Sequence, residues 1–134
     1  MSHYEWRRES NRVLLGVLVF GPGDALDLTS VSATALLDTG ATTSGISLAI
    51  ARELALPTMD KRPVQTANGL LITRRFLSRL GLPQHASPAP FVFDDTLGFE
   101  LKDDISWPVL IGMDILSRCD FTMRRDGRCT LAFG

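Results

Sequence analysis

The chain has 134 residues, 14 Lys and Arg against 15 Asp and Glu, and a net charge of -1. That length fits one domain with a real hydrophobic core, and 45% apolar residues is ordinary for a globular protein. The near-neutral balance gives no electrostatic case for binding a nucleic acid or an anionic membrane.

Local arginine clusters (Arg7, Arg8 and Arg12; Arg74, Arg75 and Arg79; Arg124, Arg125 and Arg128) are balanced by acids elsewhere. No aromatic residues are interleaved with them as in single-strand binders, so they read as solvated surface. His3 and His85, with the two cysteines, match no zinc spacing, and neither a metal nor another cofactor is expected. The apolar run Val13–Phe20 is far short of the ~20 residues a membrane span needs. Phe20-Gly21-Pro22-Gly23 after it is no small-residue cleavage site, so a cytoplasmic chain is expected.

Residues Met1 to Arg12 are polar and read as a mobile tail or a partner-dependent arm, which leaves 13–134 as the domain. Val13–Phe20 is β-rich and predicts a first strand. Gly21-Pro22-Gly23-Asp24 is a turn that lacks the strand-to-helix glycine pattern of phosphate loops. Leu26–Ser32 reads as a short strand or a loop, and Ala33–Leu37 as a strand that delivers Asp38. Thr42–Ile46 predicts a strand leaving that point. Ser47 then caps a helix over Leu48–Leu54, with Ile46, Ile50 and Leu54 at spacing four on one face. Pro57 stops it.

Val64–Thr73 predicts a hairpin about Asn68-Gly69, a pair suited to a type I′ turn with positive φ at both central residues. Arg74–Leu82 continues extended, with Phe76, Leu80 and Leu82 facing inward. Pro83–Pro90 holds three prolines and is a loop. Phe91–Phe93 is a strand, and the acidic stretch Asp94–Ser106 an exposed loop. Trp107–Ile111 predicts a core strand ending at Gly112, followed by a short helix to about Arg118. Asp120–Arg124 and Arg128–Phe133 form a closing hairpin about Asp126-Gly127. That hairpin sets Cys129 roughly opposite Arg124 and leaves Cys119 too far along the other strand for a disulfide. Many short strands with two short helices predict a small all-β barrel.

The stretch Ala35-Leu36-Leu37-Asp38-Thr39-Gly40-Ala41-Thr42-Thr43 organises the rest. An apolar strand ends abruptly in a carboxylate, a hydroxyl and a glycine that permits a tight turn. Burying an unpaired acid is expensive, whereas a hydrolase has a use for a tuned carboxylate. Taken alone, Asp38 reads better as a turn aspartate, since Asp-Thr-Gly suits a turn anyway. Asp114 reads as a cap for the helix after Gly112.

A second block, Val109-Leu110-Ile111-Gly112-Met113-Asp114-Ile115-Leu116, follows the first block, Leu36-Leu37-Asp38-Thr39-Gly40-Ala41. Between them lie an Ala-Arg-Glu-Leu helix at Ala51–Leu54 and the glycine-tipped hairpin at Asn68-Gly69. In this order the chain resembles the retropepsin-like aspartic proteases of the single-domain, bacterial or cellular type, over roughly Val13 to Phe133. The resemblance implies a closed barrel and an aspartic endopeptidase. With a single Asp-Thr-Gly, it implies a homodimer in which Asp38 of each copy meets across a two-fold axis. Asp38, Thr39 and Gly40 would form the catalytic loop, with Thr39 hydrogen-bonding across the axis. Ala41, Ile111 and the flap residues Ala67, Asn68 and Gly69 would contact an extended polypeptide substrate. Ala41 stands where many relatives carry a hydroxyl that can donate to the aspartate, so activity is expected to reach beyond strong acid. The dimer interface is expected at Phe133 and its neighbours, the 94–106 loop or the N-terminal arm. The alternative is a catalytically silent barrel serving as a dimerisation or peptide-binding module. Such a barrel has no chemical need to keep Asp38-Thr39-Gly40.

Overall fold

The computed structural model describes residues 2–102 and 106–134. In chain order the elements are β1 Ser2–Arg7, β2 Leu14–Phe20, β3 Ser30–Leu37, β4 Gly45–Ser47, α1 Leu48–Glu53, β5 Thr58–Thr66 and β6 Gly69–Leu82. They continue with β7 Phe91–Leu101, β8 Val109–Ile111, α2 Met113–Leu116, β9 Asp120–Met123 and β10 Arg128–Phe133. Strands β2-β3-β8-β4-β7-β6 pair in that order, and a further β2–β6 pairing closes them into a six-stranded barrel. β5 hangs on the outer edge of β6. The all-β barrel expected from the sequence is the fold observed.

Alternation explains the barrel wall. Leu15, Val17 and Val19 of β2 point into the core while Gly16 faces out, and Ala35 and Leu37 do the same on β3. Phe76, Leu80 and Leu82 are buried as predicted. Each leucine so buried contributes roughly 1.5–3 kcal/mol relative to exposure. β3 and β8 are parallel neighbours, with Ala35 beside Val109, Leu36 beside Leu110 and Leu37 beside Ile111. A parallel pair needs a long crossover, and here the crossover contains α1 and the β5–β6 hairpin. Ser47 caps α1 as expected, its hydroxyl accepting from the Ile50 N–H at 3.3 Å.

The N-terminal segment differs from the expected mobile tail. Ser2–Arg7 is strand β1, antiparallel to β10 in a sheet ordered β1-β10-β9. Ser2, Tyr4 and Trp6 alternate with the exposed His3, Glu5 and Arg7, and Tyr4 and Trp6 pack against the core. Polar composition hid this two-residue period. His85 fastens the outer edge of β1: its N–H donates to the His3 carbonyl at 3.0 Å, and its Nε2 accepts from the Glu5 N–H at 2.9 Å.

Three further expectations change. The stretch from Asp94 to Leu101 is not a loop but the second half of β7, paired with β6 and β4; residues 103–105 of the expected loop lie outside the described residues. Phe133 is 2% exposed and packs on Phe91 and Phe93, so it is core rather than interface. The cluster Arg74, Arg75 and Arg79 is not a solvated patch. Arg79 is 4% exposed, and its guanidinium donates to the Gly21 carbonyl at 2.6 Å and the Asp27 carbonyl at 2.7 Å. It pins the 21–29 loop from beneath.

Both thiols are free. The register sets Cys129 opposite Met123, one residue from the expected Arg124. Burial pushes both thiols above the ordinary cysteine range, as befits structural rather than nucleophilic groups. Among the described residues no helix is long and apolar enough to cross a membrane.

Candidate active site

Asp38 follows directly on β3. Its N–H donates to the Ile111 carbonyl at 2.9 Å, which extends the β3–β8 pairing by one bond. Its carbonyl accepts from the Ala41 N–H at 3.2 Å, closing the turn. The carboxylate Oδ1 accepts from the Gly40 N–H at 2.9 Å. A Cβ on Gly40 would lie 3.2 Å from that same oxygen, tighter than ordinary contact. Glycine there lets the backbone donor approach the carboxylate. Asp38 is half-buried, while Thr39 and Gly40 are exposed.

The loop is held from behind by the start of α2. The Ala41 carbonyl accepts from the Met113 N–H at 2.8 Å, and the Thr42 carbonyl from the Asp114 N–H at 3.2 Å. The two segments cross at Gly112, where a Cβ would meet the Thr43 carbonyl group at 2.7 Å and the Ala41 oxygen at 2.8 Å. Ser44, which sequence reasoning missed, bolts this crossing. Its hydroxyl accepts from the Gly112 N–H at 3.1 Å and donates to Asp114 Oδ1 at 2.7 Å. Asp114 is therefore not the cap of α2. Gly112 occupies that position with no side-chain bond, and Asp114 instead receives Ser44 and the Ile115 N–H. No local signal marks Ser44, because its partners are nearly 70 residues away. Removing its hydroxyl by Ser44→Ala leaves a buried amide and a carboxylate short of one partner each. The expected cost is about 1–3 kcal/mol, read as a lower midpoint in thermal unfolding.

Of the other expected site residues, Ala41 is half-buried in the loop itself. Ile111 has 0% exposure, so its contribution within this chain is its carbonyl rather than a subsite wall. Ala67, Asn68 and Gly69 come together at the tip of the β5–β6 hairpin, where Thr66 pairs with Gly69. The turn is not type I′. The positive φ falls on Gly69 at 109°, and Asn68 is not among the non-glycines with positive φ. Leu70 and Ile72 on this hairpin are 73% and 71% exposed.

An ion pair anchors the hairpin base. Arg75 Nε donates to Asp60 Oδ1 at 2.7 Å, its Nη2 to Asp60 Oδ2, and Arg62 adds a bond at 3.2 Å. The hydrogen bonds from Arg75 chiefly hold the Asp60 carboxyl down at about 2. A depressed carboxyl stabilises the fold above its unfolded value near 3.8 and loses that contribution as pH falls through about 2. The hairpin base thus stays charged in moderate acid. A carboxyl titration by NMR is expected to place the Asp60 midpoint near 2, and Arg75→Ala should move it upward. Among the described residues no group of three or more His, Cys, Asp or Glu could hold a metal ion.

Comparison with known proteins gives a family and a fold. The family profile described as gag-polyprotein putative aspartyl protease matches residues 27–118. A retropepsin-like aspartic protease from Rickettsia conorii superposes with a TM-score of 0.68 at 15% identity, over 98% of this chain and 90% of that one. No curated protein matches significantly by sequence.

Proposed function

The chain belongs to the gag-polyprotein aspartyl protease family, and from that premise we propose that it is an aspartic endopeptidase working as a homodimer. Peptide hydrolysis by water needs one group to take a proton and another to give one or hydrogen-bond the carbonyl oxygen. Two carboxylates about 3 Å apart do both, because like charges that close share one proton. The pair then titrates as a unit. This chain supplies one carboxylate on one Asp-Thr-Gly, so the second is Asp38 of another copy.

The observation that carries this reading is the Asp38 loop itself. Backbone bonds to Ile111 and Met113 hold it from behind, while Thr39 and Gly40 are left exposed on the other side. Thr39 is then free to bond across the two-fold axis. The hairpin carrying Ala67, Asn68 and Gly69 closes over an extended peptide and excludes water. Ala41 flanks the substrate, and Ile111 acts through its carbonyl.

Mass in solution, measured together with digestion of unfolded β-casein across pH, tests the proposal. A dimer that cleaves casein is expected; a strict monomer at high concentration with intact casein overturns it. Because Ala41 offers no hydroxyl to the pair, cleavage should extend well above strong acid. A rate profile confined below about pH 3 would contradict that role for Ala41.

A further inference from the structure

A groove of about 850 Å³ opens on the outer wall of the barrel, on the opposite side of the sheet from the core. Its floor crosses β3, β2 and β6, where Thr34 pairs with Gly16, Ser32 with Leu18, and Leu18 with Gly81. Glycines, a serine and a threonine keep that floor low. The proline-bearing 83–90 loop walls one side and Trp107 the other. The Arg12 guanidinium lies over the Trp107 ring, 5.9 Å from its centroid, and supports it from the β1–β2 link. Among the described residues none that lines the groove is charged.

The strand register shows where the groove leads. Leu14, Leu36 and Leu110 form one row across β2, β3 and β8, two residues closer to Asp38 than Thr34. All three are half-buried and lie on the face opposite the core residues Ala35 and Leu37. An apolar surface therefore runs from the catalytic loop into the groove. At roughly 3.3 Å per residue, Thr34 is about 13 Å and Ser32 about 20 Å from Asp38 along the strand. An extended substrate covers those distances in about four to six residues.

We propose that this groove is a remote subsite that binds an uncharged, apolar segment of the polypeptide substrate, four to six residues from the cleaved bond, with Trp107 as anchor. The proposal rests on the protease reading above. The uncharged lining among the described residues selects the occupant, because a charged side chain would lose water against them with no partner in return.

The test joins cleavage to a binding signal. A cleavage site in β-casein is mapped by mass spectrometry, and three peptides are made around it. One carries apolar residues four to six positions from the cut on both sides, one carries lysine and glutamate there, and one stops three residues either side. Trp6→Phe leaves Trp107 as the remaining tryptophan of two, and adding Asp38→Asn permits fluorescence titration without turnover. The long apolar peptide is expected to shift Trp107 emission and to show a KM about tenfold below that of the charged peptide. Thr34→Arg should raise that KM about tenfold with kcat unchanged and leave the truncated peptide unaffected. Ser32→Lys, at another exposed floor position, guards against a folding defect in the first variant. Equal KM values and silent Trp107 emission, with Asp38-dependent cleavage intact, would overturn the groove and spare the protease reading. Absence of Asp38-dependent cleavage overturns both.

Discussion

Asp38→Asn is expected to lower kcat/KM for peptide hydrolysis by at least about 10³-fold, because positioned acid–base groups contribute typically 10²–10⁴-fold and the proposed homodimer would lose both at once. The variant should still fold. The carboxylate oxygen that accepts from the Gly40 N–H has a counterpart in the asparagine carbonyl, so the turn keeps its side-chain bond. The Asp38 N–H to Ile111 and the Ala41 N–H to Asp38 are main-chain bonds and are untouched. In the proposed dyad the substitution removes the ability to take a proton from water while it keeps an oxygen for the Gly40 N–H. Thermal unfolding should therefore move by no more than the ±0.5 kcal/mol typical of a substitution outside special features, a few degrees at most. Full cleavage by the folded variant would place the chemistry elsewhere in the molecule. Loss of activity together with loss of folding would point to a structural aspartate instead.

Gly112→Ala is expected to be the most damaging single methyl addition in the site. The backbone at Gly112 has φ of -100° and ψ of -169°, an extended conformation open to any residue. The penalty is therefore steric rather than conformational. The added Cβ would fall 2.7 Å from the Thr43 carbonyl carbon and oxygen and 2.8 Å from the Ala41 oxygen. Those are main-chain atoms of the loop that carries Asp38, so they cannot rotate away as a side chain would. Relief requires the two segments to separate, which stretches the Met113 to Ala41 bond and the Ser44 bolt. Overpacking of this kind costs about 3 kcal/mol, which for a chain of this size lowers the unfolding midpoint by roughly 10 °C. Peptide hydrolysis should fall with it, because the same displacement moves the carboxylate. Gly21→Ala is the matched control: a Cβ there meets nothing within 4 Å, and its stability should be unchanged. Equal midpoints for the two variants would show that the crossing at Gly112 is not tight.

The sequence was most informative where a short-range rule sufficed. The glycine after Asp38-Thr39, the Ser47 cap, the inward Phe76, Leu80 and Leu82, and the existence of both hairpins follow from neighbours within a few residues, although neither hairpin pairs in its expected register. The barrel class follows from many short β-prone runs. Side-chain partnership was not legible, because it depends on register between strands far apart in sequence. Ser44 reads as an unremarkable hydroxyl until β4 lies against β8 and presents it to Gly112 and Asp114. Arg79 reads as surface charge until β6 lies beside β2 and sets its guanidinium under the Gly21 and Asp27 carbonyls.

The N-terminus shows the same division. Polar residues at Ser2–Arg7 obey the two-residue period of a strand, but only the presence of β10 gives that period something to pair with. Asn68-Gly69 announced a hairpin, yet the turn took its positive φ at Gly69 alone. By itself the sequence determined that a single Asp-Thr-Gly ends a core strand of a small barrel, because composition, period and turn chemistry are local properties. The tertiary structure decided what braces that carboxylate and which apolar surface leads away from it. Hydrogen-bond partners and exposed faces come into being only when strands some 70 residues apart are brought into register.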